Sequence, residues 1–93
     1  MSEFYVRGSG ITTRQLQKAP MSSIYVWVNQ HIDYAKILAH KLGREDLEIV
    51  SPAIFENSRL KGKTKPIILD HGVRLTAAQL EVYFEYTYRN NLD

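Results

Sequence analysis

The run Ser23-Ile24-Tyr25-Val26-Trp27-Val28 constrains the fold more than any other part of this chain. Its β-branched and aromatic residues favour extended backbone, and the lack of polar alternation means that both faces of the strand must be covered. Such a strand belongs at the centre of a sheet. It needs a strand on either side and helices packed over it. A chain of 93 residues has room for one core, so residues 1–93 are read as a single domain.

The rest of the chain supplies those partners. Glu3 to Arg7 reads as a strand, followed by the loop Gly8-Ser9-Gly10 and a short helix from Thr13 to Ala19 that Pro20 ends. Ile32, Ala35, Leu38, Ala39 and Leu42 recur at helical spacing, and Gly43 offers the left-handed stop. Leu47 to Val50 is a short strand. Ser51-Pro52 provides an N-cap with proline at the first helical position, opening a helix through Phe55 that fades by Leu60 to Gly62. Pro66 to Asp70 is another buried strand. Thr76 and Gln79 then form a capping box for a last helix, whose Leu80, Tyr83, Phe84 and Thr87 share one stripe facing the sheet. The fold class expected from this βαβαβαβα order is α/β, a three-layer domain with a small, mainly parallel four-stranded sheet, because right-handed crossovers return each strand alongside its neighbours. Met1 to Ser2 and Asn90 to Asp93 are expected to fray.

Composition narrows the function classes. The apolar runs are only a few residues long, too short to cross a membrane, and Met1-Ser2-Glu3 opens no signal peptide, so the expected site of action is the cytoplasm, a host's cytoplasm if the protein is viral. With no cysteine, the chain has no disulfide, thiolate metal site or cysteine nucleophile. His31, His40 and His71 fall too far apart in the expected elements to form a metal trio. A net charge of +2 does not argue for nucleic acid by itself. Locally, Arg59, Lys61, Lys63 and Lys65 make a basic run that reads either as a solvated loop or, with Arg7, as a phosphate-contacting patch. Tyr86 and Tyr88 are expected on the solvent side of the last helix, where tyrosines suit a protein interface.

In a parallel α/β sheet, ligands bind beyond the carboxyl ends of the strands. The candidate ligand residues there are Gly8, Ser9, Gly10, Thr12, Thr13 and Asp70. Gly10 and Thr12 fit the Walker A pattern, with Tyr5 at its first glycine and Ile11 at its lysine; Asp70 ends the apolar strand Ile67-Ile68-Leu69 as a Walker B aspartate does. Together these segments resemble the P-loop NTPase family, as a degenerate and reduced core of the kind found in small bacteriophage proteins. The resemblance covers nearly the whole chain. It implies a nucleotide at Gly8 to Thr13, with Asp70 holding Mg²⁺ through water. Ile11 cannot contact phosphate as lysine does, and His71 stands where many family members carry a catalytic carboxylate, so no catalytic residue is assigned. The plainer account makes Gly8-Ser9-Gly10 a turn ahead of an N-cap at Thr12, and Asp70 a cap on the turn toward Gly72. The expected function is a non-enzymatic binding module, a small phage-type inhibitor or accessory protein that contacts a host protein and a nucleotide or phosphate. The alternatives are a nucleic-acid-binding accessory and a weak nucleotide hydrolase. Open sheet edges also allow a homo-oligomer.

Overall fold

The central strand is where the sequence puts it. In the computed structural model, which describes the backbone of residues 2–90 and the side chains of residues 10–90, β1 (Ile24–Val26) is buried along its whole length. It lies between β2 (Glu48–Val50) and β3 (Ile67–Leu69) in a sheet of order β2-β1-β3. Both pairings are parallel, with Tyr25 opposite Ile49 on one side and Ile68 on the other. The helices are α1 (Ser2–Lys18), α2 (Asp33–Lys41) and α3 (Ala77–Arg89), and a 3-10 turn covers Pro52–Phe55.

Period-two alternation along β1 separates the apolar residues into two clusters. Tyr25 packs with Leu16, Ala19, Ala35, Ala39, Leu47 and Ile49, so the end of α1 and the inner face of α2 meet on its side. Ile24 and Val26 point the other way, against Ile54, Phe55, Leu60, Ile67 and Tyr86. One strand thus nucleates both halves of the core. Local signals fix several ends as the sequence indicates. Gly43 takes φ 72° behind α2, Ser51 accepts from the Ala53 amide ahead of the 3-10 turn, and Thr76 and Gln79 make both bonds of a capping box at α3.

Among the described residues the sheet has three strands, not four, and the four-stranded, three-layer βαβαβαβα order gives way to helix, strand, helix, strand, 3-10 turn, strand, helix. The expected strand Glu3 to Arg7, the loop Gly8-Ser9-Gly10 and the helix from Thr13 are one continuous helix, α1, so Thr12 sits in its interior rather than at its N-cap. An internal glycine costs a helix about 1 kcal/mol relative to alanine. Long-range contacts offset that cost: Leu16 is fully buried, Thr12 bonds Asp70, and Gln15 bonds Leu69. The helix expected to run past Phe55 stops there as a 3-10 turn, and Asn57 and Ser58, both at φ 57°, turn the chain away. Met1 and residues 91–93, expected to fray, lie outside the described residues, while Asn90 caps α3, its side-chain amide donating to Tyr86 O at 3.0 Å.

The last helix is rotated from its expected setting. Tyr86, expected at the surface, is buried to 1% exposure, whereas Phe84 is 59% exposed and Leu80 37%. The stripe that packs is Val82, Tyr83 and Tyr86, about 100° around the helix axis from the one expected, a shift of one residue. Tyr86 wins the buried place because its hydroxyl donates to Lys65 O at 2.6 Å, which satisfies its polar tip. Burial pushes its phenol pKa up.

Candidate functional site

Asp70 follows directly on β3 and is, among the described residues, the one buried carboxylate, at 3% exposure. Its Oδ1 accepts from the Tyr25 hydroxyl at 2.6 Å and from the Thr12 hydroxyl at 3.1 Å. Its Oδ2 accepts from the Gly72 amide at 3.1 Å and lies 3.9 Å from His71 Nε2. Thr12 and Tyr25 are as buried as Asp70. Burial foremost, with the Asp70 hydrogen bond added, drives the Tyr25 phenol pKa well above its usual value. The hydroxyl therefore stays a donor. A Cβ at Gly72 would come within 2.9 Å of Val28 Cγ1, so a larger residue there would force that side chain to shift.

Two of the candidate residues, Thr12 and Asp70, are brought together, but they are joined by a buried hydrogen bond to each other. Gly8, Ser9, Gly10 and Thr13 lie within α1, where backbone amides face the preceding turn rather than converge on an anion. A phosphate cradle needs those amides free. The turn from Asp70 to Gly72 matches the capping role that the local sequence also offered.

The basic run does not form one patch. Lys63 and Lys65 approach Glu48 at 3.7 Å and 4.0 Å. Arg59 and Lys61 instead line a cleft of about 500 Å³ with Arg89, above Leu60 and Tyr86. Arg7 lies where side chains are not described, so it joins no patch here. Tyr88 is 89% exposed and fits its expected surface position, while Tyr86 is withdrawn into the core.

Sequence reasoning missed Gln15 and Arg44. Gln15 clasps the outer end of β3: its Nε2 donates to Leu69 O at 3.1 Å and its Oε1 accepts from the His71 amide at 2.8 Å. Arg44 closes the end of α1, donating to Leu16 O at 2.6 Å and Ala19 O at 2.9 Å. Asp46 holds that guanidinium through bonds of 3.0 Å and 2.9 Å. No short motif announces either residue, because the backbone groups each acts on lie 24 or more positions away. Sequence reasoning also placed Phe84 on the core; with Ile11, it stays exposed on either side of β3. Among the described residues no helix is long and apolar enough to cross a membrane.

Comparison with family models, curated proteins and solved structures finds no match.

Proposed function

We propose that this protein is a non-enzymatic binding module that works by protein contacts, as a small inhibitor or accessory protein. The observation that carries this reading is a contrast between the carboxyl end of the sheet and the edge of β3. At the carboxyl end, Asp70 is buried and accepts from Thr12, Tyr25 and Gly72, which ties it into the fold, while along the β3 edge Ile11 and Phe84 stay exposed, at 43% and 59%. Both flank the outer edge of β3, where among the described residues no strand pairs. Nucleotide or phosphate binding is left to any opening of the Gly8–Thr13 segment.

The test is a pair of measurements on isotope-labelled protein. Titration with ATP and Mg²⁺ leaves the amide signals of Thr12, Thr13 and Asp70 in place, and a displayed peptide library selects ligands whose binding falls on Phe84→Ser. Nucleotide-dependent shifts at those three residues would sink the proposal.

A second reading has its own observation. Arg59, Lys61 and Arg89 around one cleft could hold nucleic-acid phosphates. In that case affinity for a short DNA falls with salt on a log-log slope of about 3, at roughly 0.9 per contact. A flat salt response leaves the protein-contact reading standing alone.

A further inference from the structure

We propose that the outer edge of β3 takes up an extended segment of a partner protein whose residues alternate acidic and apolar. The inference rests on the protein-binding reading above and names where and what that surface binds.

The edge follows from the ladder. Ile24 N donates to Pro66 O at 2.8 Å and Asp70 N donates to Val26 O at 3.0 Å, so Pro66, Ile68 and Asp70 turn their backbone groups toward β1. Alternation in a parallel ladder then turns the N–H and C=O of Ile67 and Leu69 outward. Among the described residues no strand pairs with them. Gln15 serves the far end, its side-chain amide bonding Leu69 O and the His71 amide as a residue of a neighbouring strand would. That leaves the Ile67 N–H, the Ile67 C=O and the Leu69 N–H facing outward, at the spacing that an added strand engages.

Grooves on the two faces of this edge define the occupant. On the α1 side lies a groove of about 300 Å³ with Ile11 and Ile68 in its wall, and both of its charged lining residues, Arg14 and Lys18, are cations. On the α3 side a groove of about 570 Å³ is lined by Ile67, Tyr83, Phe84 and Thr87 and carries no charge. Successive residues of a strand point to opposite faces. A segment lying along β3 therefore sends one set of side chains toward Arg14 and Lys18 and the other toward Phe84. Carboxylates suit the first set and aliphatic side chains the second. A second copy of this chain fits poorly. Antiparallel pairing of two β3 edges about a two-fold axis normal to the sheet sets the α1 grooves side by side, which brings Arg14 and Lys18 of each copy toward those of the other.

The probe is a blocked octapeptide of four Glu-Val repeats, titrated into the full labelled chain. Binding is expected to slow hydrogen exchange at the Ile67 and Leu69 amides, with the Ile68 amide, already paired to β1, as the internal reference. Methylation of alternate peptide nitrogens, which removes strand pairing and keeps every side chain, is expected to abolish it. A Lys-Val octapeptide is expected to bind about tenfold more weakly, and the double change Arg14→Glu with Lys18→Glu to reverse that order. The proposal is overturned if the methylated peptide binds as well as its parent, if no peptide binds up to its solubility limit, or if the same amides become protected by dimerisation without peptide. Peptide shifts confined to Tyr34 and Ile37 also overturn the edge site while leaving a protein-binding module in place. ATP-dependent shifts at Thr12 and Asp70 in a parallel titration remove the reading beneath it.

Discussion

Two polar clusters fasten α1 to the rest of the molecule, and they do it under different conditions. At mid-helix, Thr12 meets Asp70 and Tyr25 in a site closed to solvent, where exposures are 3% or less. At the helix end, Arg44 gathers the carbonyls of Leu16 and Ala19 and is held by Asp46, with side chains 16% and 24% exposed. Asp46 also accepts from the amide of Ser22, which sits at φ 63°, and so fixes the turn that leads into β1. The bonds are of similar length, yet their worth differs. A buried group that loses its partner has no water to turn to, whereas a half-exposed one is rescued by solvent. The Asp70 cluster should therefore be costly to break, and the Arg44 cluster tunable.

The largest effect is expected from Asp70→Ala. It leaves the Tyr25 and Thr12 hydroxyls without their acceptor in a dry site, and the expected loss is about 3–5 kcal/mol. Urea unfolding reads this as a lower midpoint at unchanged slope. Asp70→Asn retains the shape and one acceptor oxygen, so it should fall between Asp70→Ala and wild type. A loss under about 1 kcal/mol for Asp70→Ala would mean that water enters the site and that the contrast between the clusters is wrong.

Arg44→Ala comes next, at about 1–2 kcal/mol, because the last carbonyls of α1 lose their donors but remain near solvent. The change should speed hydrogen exchange in the last turn of α1 and leave the Tyr25 environment unaltered. Arg44→Lys should recover little, since an ammonium cannot reproduce a planar fork that reaches four carbonyls and two carboxylate oxygens at once. Full recovery by lysine would reduce the clasp to simple charge.

What the sequence made legible was whatever is written locally. The apolar run at Ile24 to Val28, the stop at Gly43 and the Thr76–Gln79 box each depend on neighbours a few residues away, and the parallel strands follow from helix-length spacers. The N-terminal helix was not legible. Gly8-Ser9-Gly10 reads as a break by propensity, and the contacts that override it come from Leu69 and Asp70, more than 50 positions along the chain. The setting of α3 was lost in the same way: Tyr86 turns inward onto Ile24, Val26 and Phe55 with its hydroxyl on the distant Lys65 carbonyl, and Phe84 turns outward. At the candidate site, the pairing of Asp70 with Gly72 could be read from two residues, but the pairing with Tyr25 spans 45 positions and could not.

A smaller effect, with a distinctive pH dependence, is expected from Tyr25→Phe. Removing the hydroxyl costs about 1 kcal/mol at neutral pH, since Asp70 keeps its bonds to Thr12 and Gly72. The Tyr25 phenol pKa is raised in the folded state above its unfolded value of about 10. A raised value means that the contribution is complete below about pH 10 and is lost as pH climbs from there toward the folded value. The stability gap between wild type and Tyr25→Phe should therefore be constant from neutral to mildly alkaline pH and close above that point. A gap that stays constant through strong alkali would place the ionised phenol comfortably in the fold and contradict the dry-site description.

The smallest effect belongs to Asp46→Asn, and its pH dependence has the opposite sense. The Arg44 hydrogen bonds first, then the Ser22 amide, hold the Asp46 carboxyl pKa below its ordinary value. A lowered value means that the contribution is present above the unfolded pKa of about 3.9 and is lost as pH falls through the folded one. Asparagine keeps one oxygen for the Ser22 amide or the guanidinium, so wild type and variant should differ modestly near neutrality and converge in acid. Because this carboxylate is partly exposed, added salt should shrink the neutral-pH difference as well, while the Asp70→Ala deficit stays put. Thermal melts of both variants at low and high salt make the comparison directly. Equal salt sensitivity in the two would show that solvent reaches Asp70 as freely as it reaches Asp46.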